Sequence, residues 1–157
     1  MQGGNNLPIM EYISNSLEDT MSFAEKMAKK TKPGDIICLS GSLGAGKTSF
    51  AKGFARGLGI KGHVNSPTFT LMQVYEDGTL PMYHFDLYRL AESFAEGEQI
   101  DFDTLDEIGF FDYLNESGVC LLEWAEYAKD LIPKNAIWVK IDVHGDTRKI
   151  FIEGSVK

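Results

Sequence analysis

The chain has 157 residues, 43% hydrophobic and 24% charged, which is about one domain's worth of ordinary globular composition and excludes wholesale disorder. It has no apolar run near the ~20 residues of a membrane helix, and the opening Met1-Gln2-Gly3-Gly4-Asn5-Asn6 lacks the basic and apolar regions of an export signal, so a cytoplasmic protein is expected. Fifteen basic against 23 acidic side chains give a net charge of −8, which argues against a protein that grips nucleic acid by itself, since phosphate binding rests mainly on Lys and Arg.

Residues 1–14 carry no helix signal and are expected to be a loosely ordered or edge-strand lead-in. Ser16, with an acid three residues on at Asp19, opens a helix whose Leu17, Met21, Ala24 and Ala28 recur at helical spacing, and Pro33-Gly34 stops it. Ile36-Ile37-Cys38-Leu39 is a short apolar run of the kind buried on both faces in a parallel sheet. A Gly-rich stretch follows at 41–46, then a second helix with Phe50, Phe54 and Leu58 four apart, ended by Gly57 and Gly59. Two strands are expected at 70–75 and 80–86 with a turn at 76–79. Residues 91–103 are acidic and poor in large apolar side chains other than Phe94, and read as a mobile loop. Leu105, Ile108, Phe111 and Leu114 mark one further helix. Val119-Cys120-Leu121-Leu122 is a second buried strand, ending on Glu123-Trp124. A short helix is expected before Pro133, then strands at 136–143 and 147–153 around His144-Gly145-Asp146. Cys38 and Cys120, each within an apolar run, read as buried thiols and give no sign of a disulfide framework or a zinc site. Strand, Gly-rich loop, helix and later strands with helical crossovers make an α/β chain of three layers with a mixed sheet, its central parallel strands flanked by antiparallel ones.

Gly41-Ser42-Leu43-Gly44-Ala45-Gly46-Lys47-Thr48 fits the phosphate-loop pattern G-x-x-x-x-G-K-[ST]. The glycines let backbone N–H groups turn inward around phosphate oxygens, at the positive end of the helix that begins near Lys47. In this reading Gly41, Gly44, Ala45, Gly46, Lys47, Thr48 and Ser49 contact ATP, with Lys47 on the β- and γ-phosphates and the Thr48 hydroxyl on Mg2+. The alternative is a Gly-rich connector with an incidental lysine.

Other parts must hold the metal and arrange the chemistry. Glu123 ends a buried strand, at the edge where α/β sheets bind ligands, and suits a magnesium-holding acid; the alternative is a solvated strand-end carboxylate. In His84-Phe85-Asp86-Leu87-Tyr88-Arg89, alternation puts His84 and Asp86 on one side. Asp86 could orient an attacking water or hold a magnesium-bound water, Arg89 could neutralise phosphate charge or pair with a carboxylate, and His84 reads as structural. Thr68, within Ser66-Pro67-Thr68-Phe69-Thr70, is a candidate γ-phosphate or magnesium sensor, against a plain turn entering a strand. Trp124 could report on nucleotide binding or cover the sheet edge. Asp106-Glu107-Ile108-Gly109 has the D-x-x-G form of GTPases, but it falls inside an expected helix and no N-K-x-D motif accompanies it, so it reads as incidental.

Gly41 to Thr48, Asn65-Ser66-Pro67-Thr68-Phe69-Thr70, His84-Phe85-Asp86-Leu87-Tyr88-Arg89-Leu90 and Leu122-Glu123-Trp124 occur in the order and approximate spacing of the TsaE (YjeE) ATPases, and the chain resembles that family over nearly its whole length. The resemblance implies a small bacterial P-loop ATPase domain spanning residues 1–157. It further implies that ATP and Mg2+ are the cofactors and that TsaD and TsaB are the partners. Together they form threonylcarbamoyl-adenosine beside the anticodon of tRNAs reading codons that begin with adenine. TsaD and TsaB carry out the transfer, tRNA is met only through them, and TsaE is an ATP-dependent accessory with a regulatory role; no membrane is involved. Position by position, the resemblance makes Thr48 and Glu123 the magnesium ligands and Asp86 the essential acid. It also makes Arg148 the basic residue that approaches the nucleotide from the C-terminal hairpin, and places the helix start at 17–20 beside the base. The acidic stretch between Leu90 and Asp103 is longer than the family pattern.

Two other readings share these parts. A small-molecule kinase would clamp the transferring group with several basic side chains, whereas this chain has three arginines, Arg56, Arg89 and Arg148. A nucleotide-gated binding module with negligible turnover would keep the same site. With so few arginines, a weak ATPase stimulated by its partners is expected.

Overall fold

Ser16 caps the first helix as its spacing predicts: its hydroxyl accepts from the Asp19 N–H at 3.0 Å. In this computed structural model, which describes residues 9–42, 44–65, 67, 70–114 and 117–154, an edge strand β1 (Ile9–Ser14) leads into that helix, α1 (Leu17–Ala28). Next come β2 (Ile36–Gly41), α2 (Lys47–Gly57), β3 (Met72–Tyr75) and β4 (Met82–Asp86). Three short helices follow, α3 (Tyr88–Ala91), α4 (Phe102–Glu107) and α5 (Phe110–Leu114), then β5 (Val119–Glu123). A 3₁₀ segment (Ala125–Leu131) precedes β6 (Ile137–His144) and β7 (Thr147–Glu153).

The strands join one sheet in the order β1-β7-β6-β2-β5-β4-β3. β2 lies parallel to both β5 and β6, and β4 parallel to β5, while β7, β1 and β3 enter through antiparallel pairs. This is the expected mixed sheet with a parallel centre. Its central strands β2 and β5 open on apolar runs, Ile36–Leu39 and Val119–Leu122, because both faces are covered there. Ile37, Leu39, Leu121 and Val139 pack with Phe50 and Phe54 of α2 and Ala24 and Met27 of α1. Cys38, Cys120, Leu122 and Phe85 pack on the other face with Leu105, Phe110, Ala125 and Ala128. Burial pushes the Cys120 thiol up to about 12 and raises Cys38 as well, so both are inert core thiols. Gly53 lets α2 lie against α1, since a Cβ there would run into the Met21 carbonyl.

Three expectations need correction. The single helix expected over 105–114 is two, α4 and α5, because Gly109 takes φ +75° and turns the chain so that Leu105 and Phe110 both reach the core. The strand expected from 70 begins at Met72, since Leu71 adopts φ +68°. The loop expected to be mobile is anchored at its far end. Ile100 is buried and its N–H donates to the Tyr127 carbonyl at 2.8 Å. The Gln99 amide donates to the Glu126 carbonyl, and its oxygen accepts from the Lys129 N–H. One apolar side chain and one amide are enough to tie an otherwise polar segment down. No helix among the described residues is long and apolar enough to cross a membrane.

Candidate nucleotide site

The candidate residues gather where the parallel strands β2, β4 and β5 end, the edge at which α/β sheets receive ligands. β2 ends on Gly41, and the loop through Gly44 and Ala45 delivers Gly46 to the N-cap of α2. Gly46 contributes no side-chain cap, so the first-turn N–H groups and the positive helix end face the loop's interior as an anion site would require. Thr48 is exposed at that end and Ser49 half-buried.

Lys47 is 6% exposed. Its Nζ donates to the Gly41 carbonyl at 2.7 Å and lies 3.4 Å from the ring centroid of Trp124. Burial holds the Lys47 pKa below the ordinary lysine value, against the opposing charges of Glu126, Glu123 and Asp86. Trp124 itself takes φ +59°, an uncommon conformation for a bulky side chain, where the chain leaves β5 for the 3₁₀ segment. Its ring meets Tyr88 at 5.1 Å and Tyr127 at 5.9 Å between centroids, so two further aromatic rings pack against the indole that faces the lysine.

Period-2 alternation puts Glu123 on the same face as Val119 and Leu121, and His84 and Asp86 on the face of Met82, which is the α2 side of the sheet. The parallel register pairs Asp86 with Glu123 and His84 with Leu121. His84 is therefore the diagonal neighbour of Glu123, and their Nε2 and Oε2 atoms are 2.6 Å apart with both side chains buried. An ionised carboxylate only accepts, so a bond to Glu123 in that form requires the proton on Nε2. The Glu123 carboxylate is thus held by His84, a pairing that 39 residues of separation conceal and that the strand register creates. Asp86 is buried, and its Oδ1 accepts from the Tyr88 N–H at 3.0 Å, turning the chain directly into α3.

Arg148 arrives from the C-terminal hairpin. Its Nε donates to the Ala45 carbonyl at 3.0 Å and its Nη1 to the Thr147 carbonyl at 3.3 Å, which joins β7 to the phosphate loop. Arg89 is exposed on α3. Arg56 faces α1 instead, bonding Glu25 at 2.9 Å and Glu18 at 3.2 Å. Thr68, the sensor candidate, lies outside the described residues. Glu126 belongs to none of the sequence motifs. Its Oε1 is buried with no partner among the described residues, and burial raises its pKa. Nothing in a three-residue spacing from Glu123 announces that contact with the lysine's field.

Among the described residues no three His, Cys, Asp or Glu side chains gather into a protein-only metal cage. Mg2+ does not require one, because it takes one or two protein oxygens and completes its shell with phosphate oxygens and water. The Thr48 hydroxyl and the Glu123 carboxylate, fixed through one oxygen by His84, supply that kind of hard donor. The arrangement as a whole offers one buried cation, a helix N-terminus and an acidic flank, which suits a metal-bound polyphosphate.

Comparisons with known proteins agree along the chain. The family model described as "Threonylcarbamoyl adenosine biosynthesis protein TsaE" matches residues 14–150. The "tRNA threonylcarbamoyladenosine biosynthesis protein TsaE" of Bacillus subtilis is 42% identical over 132 residues, covering 84% of this chain and 77% of that one. The protein of the same name from Haemophilus influenzae is 38% identical over 149 residues, covering 90% and 89%. The crystal structure of Bacillus subtilis YdiB superposes with a TM-score of 0.77 at 35% identity, covering 98% of this chain and 90% of that chain. The chain belongs to the TsaE family.

Proposed function

We propose that the chain is a single P-loop ATPase domain that binds magnesium-ATP, hydrolyses it slowly, and works in the cytoplasm with TsaB and TsaD to form threonylcarbamoyl-adenosine next to the tRNA anticodon. The observation that carries this reading is the meeting of Lys47, Glu123 and Asp86 at one sheet edge in a chain of the TsaE family. The related proteins are named for tRNA threonylcarbamoyladenosine biosynthesis, which supports the pathway.

In this reading Gly41, Gly44, Ala45 and Gly46 shape the loop whose N–H groups take the phosphates, with Ser49 extending that contact along the first turn of α2. Lys47 exchanges the Gly41 carbonyl and the Trp124 face for phosphate oxygens. Thr48 and Glu123 hold Mg2+, which supplies neutralising charge at the phosphates when bound. His84 keeps Glu123 turned toward that position. Asp86 orients the attacking water and accepts its proton. Arg148, already at the phosphate loop, adds charge beside the nucleotide, with Arg89 and Thr68 as switch elements. The test is threonylcarbamoylation of tRNA by purified TsaB and TsaD, with and without this protein and ATP. Product that depends on both is the expected result; product formation indifferent to this protein refutes the reading.

A further inference from the structure

Charge is very unevenly placed along this chain. Residues 90–128 contain eleven acidic residues and no lysine, arginine or histidine, so the rest of the chain is slightly positive although the whole carries −8. Glu123 and Glu126 belong to the nucleotide site, and Glu116 lies outside the described residues; the other eight, from Glu92 to Asp112, are all exposed. They lie on the layer of α3, α4 and α5, covering the sheet face opposite α1 and α2.

Within this acidic field lies an aromatic pair that the core does not absorb. Phe102, in the first turn of α4, is 53% exposed and stacks on Phe111 of α5, with centroids 4.7 Å apart and planes 17° from parallel. Leu105 and Phe110, beside them on the same two helices, are fully buried. The buried cluster on these helices holds Leu105 and Phe110 and not Phe102, which is exposed apolar area flanked in sequence by the exposed Asp101 and Asp103. An aromatic anchor inside a charged rim is the anatomy of a protein-docking surface.

We propose that this face, with Phe102 as its anchor, docks onto a basic surface of the TsaB–TsaD complex. The inference rests on the partner reading given above. A complex that acts on tRNA must present lysines and arginines to phosphates, and a strongly acidic face complements such a surface while repelling nucleic acid itself. The face is also joined to the nucleotide site. Ile100 and Gln99, at the end of its acidic loop, bond to the Tyr127 and Glu126 carbonyls and the Lys129 N–H of the 3₁₀ segment that begins beside Trp124. Docking and nucleotide occupancy thus bear on one piece of backbone.

The test is calorimetric titration of the full-length protein against the purified TsaB–TsaD complex at low and at moderate salt. One variant is Phe102→Ala. A second is Asp106→Lys with Glu107→Lys, where lysines at a helix C-terminus suit its dipole and should leave α4 folded. The control, Glu76→Lys with Glu153→Lys, makes the same charge change at exposed positions on the sheet end away from the phosphate loop. Circular dichroism and ATP affinity should match wild type for all three. Phe102→Ala and the α4 reversal should each weaken the complex about tenfold or more, the reversal should flatten the salt dependence, and the control should bind as wild type does. If wild type binds but the α4 variants bind equally well, or the control loses as much, the surface is wrong and the partner reading stands. If wild type does not bind at all, the partner reading falls and takes the surface with it.

Discussion

Lys47 has its ammonium between the Gly41 carbonyl and the Trp124 ring, so a phosphate that recruits it must draw it off the indole. Magnesium-ATP should therefore change Trp124 emission in a Trp138→Phe background, where Trp124 is the one remaining tryptophan of the two in the chain. Lys47→Ala should abolish that change and weaken ATP binding about a hundredfold, as expected when charge-assisted bonds worth ~3 kcal/mol are lost. Fluorescence titration and calorimetry check both. The proposed function gives the two buried acids different roles. Glu123→Ala should lose the metal dependence of binding, whereas Asp86→Ala should lower kcat more than ATP affinity, because a group acting mainly in the transition state changes rate more than ground-state binding. Steady-state kinetics over a magnesium series decide it, and the opposite pattern would exchange the assignments. Both acids were legible as strand-end carboxylates. The His84 bond to Glu123 was not, since nothing in either strand's own sequence states which residues face each other across the pair.

At the scale of elements, α1 is tied to β1 through one carboxylate. Asp19 accepts from the Tyr12 hydroxyl at 2.5 Å and from the Asn15 N–H at 2.9 Å, while its own N–H meets Ser16. The Tyr12 hydroxyl first, then the Asn15 N–H, hold the Asp19 carboxyl below the usual carboxylate range. A depressed folded pKa gives stability that is present above the ordinary carboxylate pKa and is lost as pH falls through the folded value. Tyr12→Phe should thus melt below wild type at neutral pH, and the two should converge in strongly acid buffer; thermal melts across that range measure it. The cap at Ser16 was readable because an N-cap is a local bargain between neighbours in sequence. The break between α4 and α5 was not, because the apolar spacing from Leu105 to Leu114 suits one helix, and it is the packing of both Leu105 and Phe110 that selects a left-handed Gly109.

Across the whole molecule, Arg148 reaches the phosphate loop from β7 and Arg89 stands exposed on α3, so the charge available to a transferring phosphoryl group within the chain is limited. A partner that supplies or locks an arginine raises such rates by ~10³–10⁵. Hydrolysis should therefore be slow in the isolated protein and rise on adding the TsaB–TsaD complex, and ATP should tighten docking relative to ADP, since the two affinities are reciprocally linked. Turnover assays and titrations with each nucleotide test this; equal turnover together with equal affinity would defeat the switch. The phosphate loop, the parallel centre of the sheet and the acids at its edge could be read from sequence, because each depends on residue types at short fixed spacing or on strands buried from both sides. What brought Arg148 to Ala45 across a hundred residues, set His84 beside Glu123 and laid Trp124 over Lys47 was the order and register of seven strands. Those are decided by how whole faces pack, and no local segment carries that information.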